Sequence, residues 1–326
     1  GLPAGEEETR VDIHSMLNIN SLVDQHAPVI RDVIQGVSPG LASLRIRSSN
    51  VNRGNGVILH LESMLEGIEL NLPGEFMHKK EQRHSLALDL TLTDPQALPV
   101  YIDYDGRVKA SLLLDKKDAG KTLSLLKGAI AFGGAAPVMP ELSQVELMGK
   151  LVKIDVAKWM DWYDAEIVSK ANGPQDSNAT GFLQQLKSVY LTLDELALGQ
   201  YLFHNAAIKA VRHESYWGIE ARSDELQGDV RVPLQLSGDE PLVLDLERVN
   251  LQGSKSVQGK DDGKSQEYNP EQWPLLKVFS KQFVLNGVDY GELDLTTRRI
   301  DHGVQVEQLR VNSQTLQAAA SGSWIN

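Results

Sequence analysis

Apolar and polar residues alternate along much of this chain, and this period of two constrains the fold more than any other feature. The segments that show it are residues 57–61, 86–92, 108–114, 242–246, 293–295 and 304–306. Successive side chains of a strand point to opposite faces, so the pattern predicts strands with one face hidden from water. Antiparallel sheets give this pattern, because parallel sheets are covered on both faces. We therefore predict a mainly β fold with about sixteen strands and a few short helices.

Two dipeptides predict tight hairpin turns between such strands. Asp105-Gly106 separates residues 101–104 from 108–114, and Asn286-Gly287 separates 279–285 from 290–296. Asp-Gly and Asn-Gly adopt positive φ at low cost, which suits the two-residue turns of antiparallel hairpins.

Helical spacing occurs in two places. Apolar residues recur every three or four positions after Asp155, which predicts a helix at about 155–170 with Trp159 on its apolar side. We expect this helix to pack on the sheet, although Trp159 and Trp162 would also suit a membrane surface. A second short helix is predicted from Pro28 to just before Gly36.

The 326 residues are too many for one small domain, so we expect two units. The first spans residues 1–170 and ends in the helix. The second spans 171–326 and contains a polar, mobile loop at about 253–269. Similar strand positions hold Gly67, Gly149, Gly228 and Gly322, which indicates one β unit used repeatedly.

Composition excludes several functions. The chain contains no Cys, so disulfides, thiolate catalysis and Cys-built zinc sites are absent. Its net charge of −12 argues against nucleic-acid binding. No stretch is long and apolar enough to span a bilayer, which needs about 20 residues. We interpret the chain as a soluble fragment of a larger protein.

A search for catalytic and metal-binding motifs finds no candidate. The eight histidines show no His-x-His or His-x-x-x-His spacing, and we expect them on the surface or half-buried. We predict no catalytic residue, no metal and no cofactor, and hence no enzyme. The basic run His78-Lys79-Lys80 with Arg83 and His84 is compatible with a solvated hairpin loop or with contact to anionic lipid headgroups.

The apolar face of the strands is the remaining candidate site. It would be either an ordinary core between layers or the open lining of a groove in a lengthwise-curled sheet. Aliphatic side chains suit an acyl chain, which needs no polar anchor. The residues predicted to line such a lipid-binding groove are Leu59, Leu61, Leu86, Leu88, Leu90, Leu112, Leu114, Leu242, Leu244, Leu246, Leu293 and Leu295.

Several short motifs, taken in order, resemble the YhdP branch of the bacterial AsmA-like proteins. They are Phe132-Gly133-Gly134, Leu147-Met148-Gly149-Lys150-Leu151, Asp155 with Trp159, Tyr216-Trp217-Gly218, Leu226-Gln227-Gly228, Trp273-Pro274, Leu285-Asn286-Gly287 and Ser321-Gly322-Ser323-Trp324. The resemblance covers residues 107–326 well and residues 1–106 loosely.

The resemblance implies a periplasmic protein whose full length is anchored in the inner membrane. It implies an elongated, curled sheet of repeating β-groove units with an apolar concave face, acting in phospholipid transport toward the outer membrane. The expected partners are phospholipid acyl chains and, through segments outside this chain, the two membranes; protein partners are left open. The alternative is a non-enzymatic structural β-sandwich or scaffold that binds protein or glycan in the cell envelope.

Overall fold

The computed structural model of the chain describes residues 6–26, 30–49, 56–116, 124–169, 184–236, 238–252 and 273–325. Strands form 65% of the structure and helices 10%, which confirms the predicted mainly β fold. The strands are β1 (Glu6–Asn18), β2 (Ile34–Ser49), β3 (Gly56–Ser63), β4 (Ile68–Leu70), β5 (Leu86–Thr91), β6 (Ala97–Tyr104), β7 (Val108–Asp115), β8 (Ser124–Phe132), β9 (Val145–Asp155), β10 (Leu186–Leu198), β11 (Tyr201–Arg212), β12 (Tyr216–Arg222), β13 (Leu226–Pro233), β14 (Leu242–Leu251), β15 (Leu276–Leu285), β16 (Val288–Ile300), β17 (Gly303–Asn312) and β18 (Gln317–Ile325).

The chain divides into two compact units. The first comprises Gly1–Leu151 and Ala157–Lys187, and the second comprises Val152–Val156 and Ser188–Asn326. In the first unit β1, β2, β3, β5, β6, β7, β8 and β9 pair in this order, and β4 pairs with the beginning of β2. In the second unit β10 to β18 pair in sequence order. The predicted boundary at residue 170 and the predicted mobile loop at 253–269 lie outside the described residues.

Among the pairings within each unit, β8 with β9 and β14 with β15 are parallel. The connection from β8 to β9 crosses one face of the first unit and returns the chain to the end of the sheet where β8 began. Side chains from β7 and β8 hold it there: Ser111 Oγ donates to the Pro137 carbonyl at 2.8 Å, and Lys127 Nζ donates to the Pro140 carbonyl at 2.7 Å. A crossover of this kind makes the following strand parallel.

The hairpin turns are as predicted. Asp105 and Gly106 have φ of 55° and 64°, and Asn286 and Gly287 have φ of 52° and 80°. Positive φ at both central residues defines the type I′ turn, whose twist matches that of the flanking strands.

One of the two predicted helices is present. Helix α2 (Val156–Tyr163) continues as a π-helical segment (Asp164–Val168), as predicted for 155–170. The helix predicted from Pro28 to Gly36 is wrong, because β2 begins at Ile34. A helix instead occupies Ile19–His26 (α1), where the Asn18 side-chain oxygen accepts a hydrogen bond from the Ser21 amide at 3.2 Å. Such an N-cap satisfies a free amide of the first turn.

Three of the four recurring glycines share a physical reason. Gly67, Gly149 and Gly228 have φ of 92°, 121° and 157°, and a Cβ atom on each would lie within 2.4 Å of a carbonyl oxygen in the neighbouring strand. Only glycine tolerates this combination of backbone angle and close approach. Gly322 differs, because a Cβ there would meet no atom within 4 Å.

Candidate functional site: the apolar faces of the two units

The strand register of the first unit gathers its apolar residues on one face. Two rows cross all eight consecutive strands, from β1 to β9. The first row is Val11, Leu44, Leu59, Leu90, Val100, Leu112, Gly128 and Val145, and the second is Ile13, Ala42, Leu61, Leu88, Ile102, Ala110, Ile130 and Leu147. Neither row contains a charged residue. All seven leucines predicted for this part of the chain lie on this face, with Leu86 and Leu114 in the flanking rows.

The second unit has an apolar face of the same design. One row is Leu191, Ile208, Ala221, Gly228, Leu246, Ser280, Leu293, Val311 and Ala318, and the next is Val189, Ala210, Ile219, Val230, Leu244, Val278, Leu295, Leu309 and Ala320. The five leucines predicted here share this face, since Leu242 precedes Leu244 by two residues. This face carries more small residues than that of the first unit.

Burial differs along the two faces. In the first unit the predicted leucines are half-buried, while Ala110 and Val100 at the middle of the face are 5% and 9% exposed. Toward β1 the face becomes open, with Val11 46% and Ile13 55% exposed. In the second unit Leu246 is 2% exposed, so this leucine is packed within the protein rather than available as lining. An ordinary core would bury most of these side chains fully.

An aromatic cluster stands at one margin of the first unit's apolar face. Phe132, at the end of β8, contacts Phe76 edge-on with ring centroids 5.7 Å apart. Phe76 contacts Trp159 of α2 at 5.8 Å, and Trp159 contacts Trp162 at 5.5 Å. We call Phe76, Phe132, Trp159 and Trp162 the aromatic wall. Helix α2 thus contacts Phe76 through Trp159, and Phe76 in turn contacts Phe132 of the sheet. The direct packing of the helix on the sheet stays a prediction, and Trp162 belongs to the same cluster.

Phe76 is carried by residues 65–84, which leave the sheet between β3 and β5; we call this segment the strap. Its interior is well packed, because Leu65 is 3% exposed and Ile68 and His78 are fully buried. The Nε2 atom of His78 lies 3.1 Å from the Leu65 carbonyl oxygen. The expectation that His78 is a surface or half-buried residue is wrong, since the strap folds back on itself and encloses the ring.

The remaining basic residues of the strap do not form one patch. Lys80 pairs with Glu69 at 3.3 Å, and Arg83 pairs with Glu66 at 3.5 Å. His84 is half-buried and stacks on Tyr104, whose hydroxyl lies 3.2 Å from its Nδ1 atom. Glu69 and Glu66 of the strap thus neutralise Lys80 and Arg83, two of the cations in the basic run of the sequence.

The opposite faces of both units are polar and carry paired charges. In the second unit Lys209 contacts Glu220 at 3.0 Å, and Lys281 contacts Glu247 at 2.6 Å. Charged pairs of this kind are costly to remove from water, so these faces are suited to solvent.

Ser43, His60 and Asp89 lie on the polar face of the first unit and are the residue types of a catalytic triad. Their hydrogen bonds differ from those of a triad. His60 Nδ1 lies 2.6 Å from Asp89, and its Nε2 lies 2.9 Å from Glu62. Ser43, opposite His60 in the register, donates instead to Asp12 at 2.6 Å. Burial would lower the pKa of His60, but its hydrogen bonds with Glu62 and Asp89 outweigh burial and raise the pKa. A general base needs a free nitrogen facing the nucleophile, which this histidine lacks.

An open cleft of about 850 Å³ also lies on the polar face of the first unit. Its lining mixes His14, Glu62 and Asp103 with Leu41 and Ala87. Leu86, from a flanking row of the apolar face, also lines the cleft, but no residue of the two apolar rows does. Across the described ranges, no group of three or more His, Asp or Glu side chains is arranged to hold a metal ion. Neither helix in the described part of the chain has the length and apolarity to cross a bilayer.

Strands that present one continuous apolar face and one charged face define a mainly β protein whose candidate functional site is its apolar surface. The chain matches the family model described as YhdP protein over residues 4–326. It therefore belongs to the YhdP family, a cell-envelope family of transport-type proteins rather than enzymes. No curated protein and no solved structure matches the chain.

Proposed function

We propose that this chain is a periplasmic part of a phospholipid transport protein, in which the apolar faces shield acyl chains on their way between the inner and outer membrane. The observation that supports this most strongly is the pair of uninterrupted apolar rows across eight strands of the first unit. Ten of the sixteen positions in these rows are half-buried and two are exposed, while Val100, Ala110, Gly128 and Val145 are buried.

The dimensions of the first unit's apolar face suit a lipid tail. Eight strands about 4.8 Å apart give a face about 34 Å long. A bilayer core is about 30 Å thick, so one acyl chain spans about 15 Å. The face therefore exceeds the length of a tail in this direction.

The energetics suit a conduit. A chain of about 16 methylenes gains about 13 kcal/mol on leaving water, at about 0.8 kcal/mol per CH₂. A bilayer offers nearly the same gain, so transfer between the membrane and an aliphatic face is close to thermoneutral. The protein then acts passively, and the direction of transport comes from a gradient or from a partner.

Native mass spectrometry and lipid extraction of the purified chain test this proposal. We expect bound phospholipid, and we expect Leu88→Asp to remove it, because the carboxylate places an unpaired charge among Leu61, Ile102 and the neighbouring leucines. If the folded wild-type chain carries no lipid and moves none between vesicles, the proposal is wrong. The result would then favour the scaffold alternative, which needs no lipid path.

A further inference from the structure

The two margins of the first unit's apolar face, at opposite ends of its strands, differ in composition. The aromatic wall stands at the row that contains Tyr104, Val108 and Phe132, at the end of the strands where β6 turns into β7, and Phe76 contacts Phe132 in this row. The rings meet edge to face, which is a favourable geometry for aromatic pairs. The wall itself presents aromatic rings and carries no charge, and beside it Arg107 pairs with Glu75 at 3.4 Å.

The aromatic wall is a fixed part of the unit. Trp162 Nε1 donates to the Asn71 carbonyl of the strap at 2.7 Å, which joins α2 to the strap. Arg107 donates to the Glu75 carbonyl at 3.2 Å, which joins the strap to the β6–β7 turn. Together with the buried Ile68, these contacts hold the wall against the strand ends.

The opposite margin is polar and is open in part. Ile46 and Leu92 are each 39% exposed there, whereas Leu98, which pairs with Leu114, is 7% exposed. Gln185 donates to the carbonyl of Leu125, the other neighbour of Leu114, at 2.7 Å. Asp94 accepts hydrogen bonds from the Gln96 and Ala97 amides at 2.7 and 3.2 Å, and Lys116 Nζ donates to the Asp94 carbonyl at 2.6 Å. These groups keep contact with water next to the apolar rows.

The distance between the two margins matches one lipid tail. From Val108, which pairs with Phe132 of the aromatic wall, to Leu114, at the opposite margin, β7 advances six residues. At about 3.3 Å per residue this is about 20 Å. An acyl chain that spans about 15 Å, half of a bilayer core of about 30 Å, fits between the wall and the polar margin.

We infer that bound acyl chains lie along the strands of the first unit, with their methyl ends against the aromatic wall and their headgroups at the margin formed by Leu92, Asp94 and Lys116. Lipid then enters and leaves sideways across this margin. The inference rests on the proposed function, since it describes how that site holds its lipid.

Quenching of tryptophan fluorescence by brominated lipids, which acts only at short range, tests the orientation of the bound acyl chain. A triple variant retains only Trp159 and Trp162, the two tryptophans of the aromatic wall. It carries the substitutions Trp217→Phe, Trp273→Phe and Trp324→Phe. It is loaded with phosphatidylethanolamine brominated near either the methyl or the carboxyl end of the acyl chain, and it is separated from vesicles before measurement. We expect the methyl-end bromines to quench more strongly. Equal quenching, stronger quenching from the carboxyl end, or no quenching of a lipid-loaded chain would overturn the inference.

The absence of native cysteine permits a reciprocal measurement that leaves the tryptophans in place. A fluorophore on Val108→Cys should follow the methyl-end bromines, and one on Leu114→Cys should follow the carboxyl-end bromines. If both labels show the same preference, the chains do not lie along the strands. If mass spectrometry finds no bound lipid at all, the proposed function fails together with the inference, which separates that result from a wrong orientation.

Discussion

Leu244 and Val243 provide a matched test of the two faces in the second unit. They are adjacent in β14 and point to opposite sides of the sheet. Leu244 lies between Val230 and Val278 on the apolar face, whereas Val243 lies between Arg231 and Lys277 on the polar face. Both side chains are half-buried. Aspartate at either position introduces the same charge, so the difference between the two variants reports on the face.

The expected difference follows from the neighbours. A carboxylate at position 243 meets two cations, and we expect it to change lipid binding little. A carboxylate at position 244 has the apolar neighbours Val230 and Val278 across the sheet. Because no cation compensates its charge there, it must stay hydrated. If it holds about three methylenes of an acyl chain off the face, binding loses about 2.4 kcal/mol at about 0.8 kcal/mol per CH₂. Since about 1.4 kcal/mol corresponds to tenfold, affinity should fall about 50-fold.

The assay measures the affinity of each purified variant for a fluorescent phosphatidylethanolamine, together with its urea unfolding midpoint. Leu244→Asn, which has nearly the shape of the aspartate variant but no charge, separates the effect of charge from that of lost side-chain volume. Equal affinity of Leu244→Asp and Val243→Asp, with both folded, would show that lipid does not contact the apolar face of this unit.

Three further variants test local features. Gly149→Ala should destabilise the fold by about 3 kcal/mol or more in urea unfolding, because its Cβ would lie 2.2 Å from the Phe132 carbonyl oxygen; Gly134→Ala, which also has positive φ but open space, should cost only about 1 kcal/mol. The raised pKa of His60 stabilises the fold fully below its unfolded value of 6.5, and this stabilisation is lost as pH rises through the folded pKa. His60→Gln should therefore cost more stability at about pH 5.5 than at about pH 9, and an equal cost at both would contradict this reasoning. Trp162→Phe should lower the free energy of unfolding by about 1 kcal/mol through loss of its hydrogen bond, and an unchanged value would show that this bond does not hold the strap.

Local pattern predicted those features of the fold that depend on neighbouring residues. Alternation placed Leu59, Leu88 and Leu112 on one face because side-chain direction in a strand follows from residue parity alone. The Asp105-Gly106 and Asn286-Gly287 turns were likewise predictable, since their φ values depend on the two residues themselves.

Features that depend on distant residues could not be predicted. The parallel pairing of β8 with β9 depends on where the intervening connection lies, and its hydrogen bonds come from Ser111 and Lys127. The aromatic wall joins residues 76, 132 and 159, which no sequence pattern relates. His78 is polar and stands in a basic run, yet the strap encloses it completely. The one overlooked local signal is Asn18, a good N-cap residue ahead of α1.

The polar faces help to explain why the apolar faces remain available. A second layer packed on the charged side would have to desolvate pairs such as Lys209–Glu220 and Lys281–Glu247, and their mutual attraction rarely repays that cost. A layer of protein packed on the apolar side would create an ordinary core and exclude lipid. Each unit instead presents charge to water on one side and leaves half-buried aliphatic rows on the other. Under the proposed function, a lipid tail covers these rows and can still depart, because the bilayer offers it a nearly equal environment.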